Sequence, residues 1–216
     1  MKISFRLTGV SALLMKQDDV QASDLLTAWR KDPINKKISV PGDDRSPPWT
    51  WTTCVYHDGK HLTIPAVNLM TGLRKAGAQI ILKRQTTFKE LTQSGMFIDQ
   101  EFLRFGVGPK AQQVAMAPIA NAAAGDMTFA EHCKFAETLG FRLFVKRATV
   151  GTAKHVRVRP RFDTWTIEGS LTVVAQEITR EVVGQLLTIA GRGGLCDWRP
   201  ACKTPGPFGM FRAEIL

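Results

Sequence analysis

The sequence predicts an α+β fold, in which helices pack on one face of an antiparallel sheet and insertions separate the regular elements. Apolar and polar residues alternate at both ends of the chain, in 2–10 and 211–215, with the period of a half-buried strand. Capping residues precede apolar residues at helical spacing at Thr128 and Thr179. Hydrophobic residues make up 44% of the 216 residues, which is enough for a real core.

The first half of the chain begins with a strand over 2–10. A short helix around Leu25 and Leu26 is expected in 18–31, and the Pro- and Gly-rich stretch 32–53 is predicted to be an insertion. Asp58-Gly59 indicates a tight turn between two short strands. Pro65 follows, and a helix can begin there because the first turn needs no N–H from proline.

The second half contains a second expected insertion over 82–140, within which 96–107 looks extended. The Thr128 helix is expected to end at Gly140, and strands follow in 141–145 and within 156–174. The helix after Thr179 is expected to end at Gly191, before the last strand.

Without the insertions, the order is strand, helix, strand, strand, helix, strand. This is the split βαβ arrangement of a ferredoxin-like fold, the fold of RRM domains. We therefore predict a single RRM-like domain over 1–216, with insertions at about 32–53 and 82–140. In RRM domains the open face of the sheet contacts RNA.

The charge of the chain points to a polyanionic partner. Lys and Arg total 29 against 19 Asp and Glu, so the formal charge is +10, which favours nucleic acid first and anionic membrane second. Residues 141–162 hold seven Lys or Arg and no acid. Arg157, Arg159 and Arg161 are two apart, so in a strand they share one face, where a phosphate backbone could lie across them. The alternative is a solvated edge strand whose charges prevent aggregation.

Two further regions contribute candidate contacts. Arg74 and Lys75 lie in the helix after Pro65, where the alternative is a solvated helix face. In the glycine-rich stretch 191–209, Trp198 could stack on a base and Arg199 could hold a phosphate. The alternative there is a long loop that needs glycine for its turns, with Trp198 in the core. The predicted nucleic-acid contacts are therefore Arg74, Lys75, Arg157, Arg159, Arg161, Trp198 and Arg199.

Metal and cofactor chemistry are not predicted. Cys54, His57 and His61 have ligand-like spacing, but they lie on opposite arms of the predicted turn and no fourth ligand follows at a familiar spacing. The four cysteines form no CxxC pair, so a reducing cytoplasm is expected. No stretch predicts a membrane span or a signal peptide.

Three segments resemble a known family. The opening 3–9 with Leu13-Leu14-Met15, the stretch 62–76, and the glycine-rich 191–209 resemble the RAMP superfamily. These RRM-fold proteins supply the guide-RNA-binding backbone subunits of CRISPR effector complexes. The resemblance implies RNA binding by a strip of identical subunits, each holding a few nucleotides. The chain is short for such a subunit, which indicates a solitary or viral relative.

We therefore expect a non-enzymatic protein that binds single-stranded RNA or DNA, RNA preferentially, along the phosphate backbone while self-associating. Two alternatives stay open from the sequence. One is a metal-independent RAMP-type endoribonuclease with His132 or His155 as the acid–base group. The other is a viral structural or scaffold protein whose charge neutralises a neighbouring polyanion.

Overall fold

Antiparallel strand pairing organises the computed structural model, which describes residues 1–150 and 153–216. In chain order the strands are β1 (Lys2–Gly9), β2 (Leu13–Leu14), β3 (Thr63–Pro65), β4 (Ile81–Lys83), β5 (Thr86–Thr87), β6 (Met96–Ile98), β7 (Phe102–Val107), β8 (Arg142–Val150), β9 (Ala153–Phe162), β10 (Trp165–Val173) and β11 (Phe211–Ile215). The helices are α1 (Val20–Lys31), α2 (Pro33–Lys36), α3 (Ala66–Gly77), α4 (Leu91–Ser94), α5 (Met116–Ala124), α6 (Phe129–Thr138) and α7 (Arg180–Gly193), and a 3₁₀ helix covers Pro48–Cys54. The α+β class with an antiparallel sheet is confirmed.

The central sheet has six strands in the order β11-β1-β10-β7-β3, and β6 pairs with the other end of β10. β1 lies between β10 and β11, with Ile3 opposite Leu171 and Leu7 opposite Ile167. Alternation buries Ile3, Phe5 and Leu7 on one face and leaves the intervening polar residues exposed. The strands predicted at both ends of the chain are therefore confirmed as β1 and β11.

Helices α3 and α7 cover the buried face of the sheet and pack against each other. The capping box at Thr128 and the cap at Thr179 are confirmed at the starts of α6 and α7. The expected end of α7 at Gly191 is wrong, because the helix continues to Gly193 and is capped by Gly194. Gly191 instead lies where an added Cβ would be 2.3 Å from the carbonyl oxygen of Phe211, so glycine is needed there for close packing of α7 on β11.

A second sheet, in the order β2-β9-β8, extends the core beside the central sheet. β8 and β9 form a long antiparallel hairpin whose described residues pair from Arg142 opposite Arg161 to Val150 opposite Ala153. The ring of Phe162 in β9 meets Phe105 of the central sheet edge-on at 5.0 Å between centroids. The hairpin is thus anchored in the core at the end near Phe162.

The predicted insertions are more structured than the sequence indicated. Residues 32–53 contain α2 and most of the 3₁₀ helix, which places Trp51 in the core with no exposed surface. Residues 82–140 also supply β6 and β7 to the central sheet. The helix predicted in 18–31 is present as α1, but Leu25 is 64% exposed and Ala22 is the buried residue of the helix.

His132 in α6 is a buried polar side chain in this core. Its ring has no exposed surface, packs edge-on against Trp51 at 5.9 Å, and both of its nitrogens lack a hydrogen-bond partner. Burial lowers the pKa of His132, because the charged form cannot be solvated there.

None of the helices in the described chain has both the length and the hydropathy that a membrane span requires.

Acidification should therefore destabilise the protein through His132. The unfolded state takes up a proton near the ordinary histidine pKa of about 6.5, whereas the folded state resists protonation, so stability is full above that pH and falls below it. We expect this residue to contribute a loss of up to about 1.4 kcal/mol per pH unit below pH 6.5. Urea unfolding of wild type and His132→Leu at neutral and mildly acidic pH would measure the difference. The free energy of unfolding of His132→Leu should depend less steeply on pH than that of wild type; an unchanged dependence would contradict the prediction.

Candidate nucleic-acid interface

A groove of about 590 Å³ lies between the β8–β9 hairpin and the loop that follows α7. The cations that line it are Lys146, Arg147, Arg157, Arg159 and Lys203. Asp197 is the carboxylate of the described lining, and Phe144 and Trp198 are its aromatic rings. The groove thus combines strong positive charge with aromatic surface, the two features with which proteins hold single-stranded nucleic acid.

Strand register explains how the hairpin concentrates charge. Lys146 lies opposite Arg157, and Phe144 lies opposite Arg159. Alternation along β9 puts Arg157, Arg159 and Arg161 on one face, as predicted from their spacing, and buries Val158 and Phe162 on the other. Like charges directly opposite each other are destabilising, so this face needs anions nearby.

Aspartates from other segments supply those anions. Arg159 is only 13% exposed, and its guanidinium donates to Asp44 and Asp197, each at 3.0 Å. Arg157 donates to the second oxygen of Asp44, also at 3.0 Å. Arg161 is paired with Asp163 at 2.8 Å.

These pairs change the interpretation of the three arginines. Residues 141–162 contain no acid, but Asp44 comes from the Pro-rich stretch 32–53 and Asp197 from the glycine-rich loop. Arg159 therefore ties three segments together and has a structural role in addition to lining the groove. Replacing these arginines would remove ion pairs as well as binding charge, so they do not behave as solvated, free cations.

The glycine-rich loop is shaped by its own packing. An added Cβ at Gly209, where φ is +76°, would lie 2.1 Å from the carbonyl oxygen of Leu195, and one at Gly206 would lie 2.4 Å from the indole Cδ1 of Trp198. Trp198 itself has φ of +46°, and its backbone N–H donates to the Asp197 carboxylate at 2.9 Å. These glycines allow the backbone to fold closely on itself and hold Trp198 at the groove.

The predicted contact residues fall into separate places. Arg157, Arg159 and Trp198 line the groove, and Arg161 lies 5.7 Å from the Phe208 ring centroid beside it. Lys75 and Arg199 line a smaller cleft of about 100 Å³ between α3, α7 and the loop. Arg74 is exposed on α3 and lines neither.

Sequence reasoning left out several groove residues. Lys146 and Arg147 belong to the acid-free basic run, but their position opposite β9 depends on register, which composition does not give. Lys203 follows the predicted Arg199 in the same loop, and Phe144 alternates with Lys146 along β8. The period-two spacing of Arg142, Phe144 and Lys146 was the signal that could have found Phe144 and Lys146.

The open face of the central sheet is less suited to a polyanion. Three of its cations are paired with acids: Arg6 and Arg104 both pair with Glu168, at 2.8 and 3.3 Å, and Lys2 pairs with Asp99 at 3.3 Å. A phosphate there would have to compete with carboxylates already in contact. This favours the groove over the sheet face that an RRM-type domain would use.

The histidines and cysteines do not assemble a site. His132 is buried in the core, and His57 Nδ1 accepts a hydrogen bond from the Gly59 N–H. Cys54 is a buried thiol next to Thr50, and all four cysteines are free thiols. Across residues 1–150 and 153–216, no group of three His, Cys, Asp or Glu side chains is placed to hold a metal ion.

No protein-family model matches the sequence, and no curated protein matches it. The functional argument for this chain therefore starts from the charge, the rings and the geometry of the groove.

Removing the shared carboxylate should destabilise the fold. Asp44→Asn leaves the guanidinium of Arg159 buried with one carboxylate instead of two and deprives Arg157 of its partner. Breaking a buried pair costs about 3–5 kcal/mol, and we expect about 2–3 kcal/mol here because Asp197 remains. Asp163→Asn is the matched control, since its pairs with Arg142 and Arg161 are more exposed and should cost less than about 1 kcal/mol. Chemical denaturation of both variants checks this; equal small losses would show that the network does not hold the groove together.

Proposed function

We propose that the protein binds single-stranded nucleic acid in the groove between the β8–β9 hairpin and the glycine-rich loop. The observation that supports this most directly is the lining, in which five cations and two aromatic rings meet one carboxylate. Cations attract the phosphates, and rings offer surface to unpaired bases. A duplex would hide its bases from those rings, which is why a single strand fits the groove better.

We further propose that the domain has ferredoxin-like, RRM-like topology. The strands β11, β1, β10 and β7 are adjacent in that order and all antiparallel, and α3 and α7 provide the two crossovers. This order is the one expected for a split βαβ unit. The glycine-rich stretch that resembles the RAMP superfamily faces the basic hairpin across the groove, which supports RNA as the preferred strand.

Self-association along the strand is part of this proposal. Large apolar side chains are exposed along the segment of α1 and α2: Val20, Leu25, Ile34, Ile38 and Val40. Ile34 is 81% exposed, and exposed large apolar side chains close together along one segment are candidates for a protein–protein contact. We propose that these apolar side chains contact a second copy of the protein bound to the same nucleic-acid strand. The cytoplasmic location stays a prediction that rests on cysteine usage.

Binding should weaken with salt in proportion to the groove cations. Contacts from Lys146, Arg147, Arg157 and Lys203 imply a log–log salt slope of roughly −2.8, at about 0.7 per phosphate on a single strand. Changing the exposed Lys146, Arg147 and Lys203 together to Gln should make the slope shallower by about 2.1. Titration of an unstructured oligonucleotide at several salt concentrations gives both slopes.

The matched control is Lys83, Arg84 and Lys89 changed to Gln. These exposed residues carry the same charge and lie at the end of β4, in the turn between β4 and β5, and shortly after β5, away from the groove lining. The control should keep the wild-type slope. If both triple variants lose affinity equally, or if binding shows no defined site size, the charge acts as a general neutraliser and the groove is not the site.

Several copies should bind one long oligonucleotide. Mass measurement on strands of increasing length should show a stepwise increase in copies, and Leu25→Asp with Ile34→Asp should reduce the cooperativity of that increase while leaving binding to a short strand unchanged. One copy on strands of every length would argue against self-association and leave the groove assignment standing.

A further inference from the structure

Three aromatic rings form a floor at one end of the groove. The ring centroid of Trp198 lies 5.4 Å from that of Phe208 and 6.3 Å from that of Phe144. Phe208 is buried, whereas Phe144 and Trp198 are partly exposed and line the groove. Such a floor offers flat apolar surface inside a strongly cationic site.

The indole of Trp198 is held in place before any ligand binds. The backbone of Gly206 lies against the indole so closely that a Cβ there would be 2.4 Å from Cδ1. The backbone of Trp198 is fixed by the Asp197 carboxylate, which is itself paired with Arg159. A ring that is already oriented loses little conformational freedom when a partner stacks on it.

Lys146 covers this ring. Its ammonium nitrogen lies 2.9 Å from the centroid of the indole, and both side chains line the groove. Lys146 is exposed, so its long side chain can leave the ring without disturbing the core. The Lys146 side chain can therefore move off the indole, whereas Gly206 and Phe208 are part of the folded loop and stay in place.

We propose that Trp198 forms a subsite for one unpaired base, and that the base takes the place of the Lys146 ammonium on the indole. The displaced ammonium then pairs with a phosphate next to that base. This inference rests on the proposed function and specifies how the groove holds its ligand. A base stacks on an indole more strongly than an ammonium holds an exposed ring, and the ammonium gains an anionic partner in exchange.

The exchange predicts which strands bind well. Every base has a flat face, so the subsite accepts all four and discriminates against strands without bases. Paired bases are excluded because their faces are stacked on neighbours. The sugar and phosphate chain alone would still be attracted to Arg147 and Lys203 but would leave Lys146 on the ring.

Two strands of equal length test this: an ordinary oligonucleotide and one that is abasic throughout. Wild type should bind the ordinary strand on the order of 10-fold more tightly. Trp198→Leu should lose that advantage and bind both strands with the affinity of wild type for the abasic strand. Phe97→Leu is the control, because Phe97 is 51% exposed on the open sheet face and should keep the 10-fold difference.

If Trp198→Leu does not fold, Trp198→Phe serves as the second variant. It keeps a stacking ring and should retain most of the preference for bases. Binding of the ordinary strand should quench tryptophan fluorescence in wild type, and Trp198→Phe should lose that quenching while still binding. Equal affinity of wild type for both strands, or full quenching in Trp198→Phe, overturns the subsite but leaves backbone binding intact. Absence of binding to either strand overturns the proposed function itself.

Discussion

The groove depends on the buried guanidinium of Arg159. A cation with 13% exposure needs carboxylates, and Asp44 and Asp197 provide them from segments more than thirty residues away in either direction. Neither aspartate lies in a helix or strand, so the ion pairs help to fix both segments against β9. Asp44 also accepts the backbone N–H of Val158 and so binds the strand as well as the side chain. The walls of the groove are held by the charges at its base.

The charged residues of the groove fall into two groups: those held in ion pairs within the protein and those exposed to a ligand. At the base, Asp44 and Asp197 neutralise Arg157 and Arg159, whereas Lys146, Arg147 and Lys203 are exposed at the rim. The net charge of +10 is therefore not spread evenly over the surface. A ligand meets the rim cations without first having to displace a carboxylate from them.

Local patterns predicted the parts of the fold that local interactions determine. Alternation gave β1 and β11, and side-chain caps gave the starts of α6 and α7. The spacing of the arginines in β9 placed them on one face, but their partners were out of reach of the sequence because Asp44 is 115 residues from Arg159. The helix expected around Leu25 and Leu26 is present as α1, yet Leu25 is exposed, since periodicity does not show whether a surface is available to cover it.

The two basic surfaces differ in what competes with a ligand for their cations. On the open sheet face, Arg6 and Arg104 share Glu168, so a phosphate gains an arginine only if the carboxylate loses one. In the groove, the competitor for Lys146 is the π face of Trp198, which holds a cation more weakly than a carboxylate does and is itself a surface for a base. In the proposed exchange, a single strand separates these two groups, with a base on the ring and a phosphate beside the ammonium. In the proposed mode of binding, the sheet is the scaffold, and the hairpin and the loop beside it carry the binding chemistry.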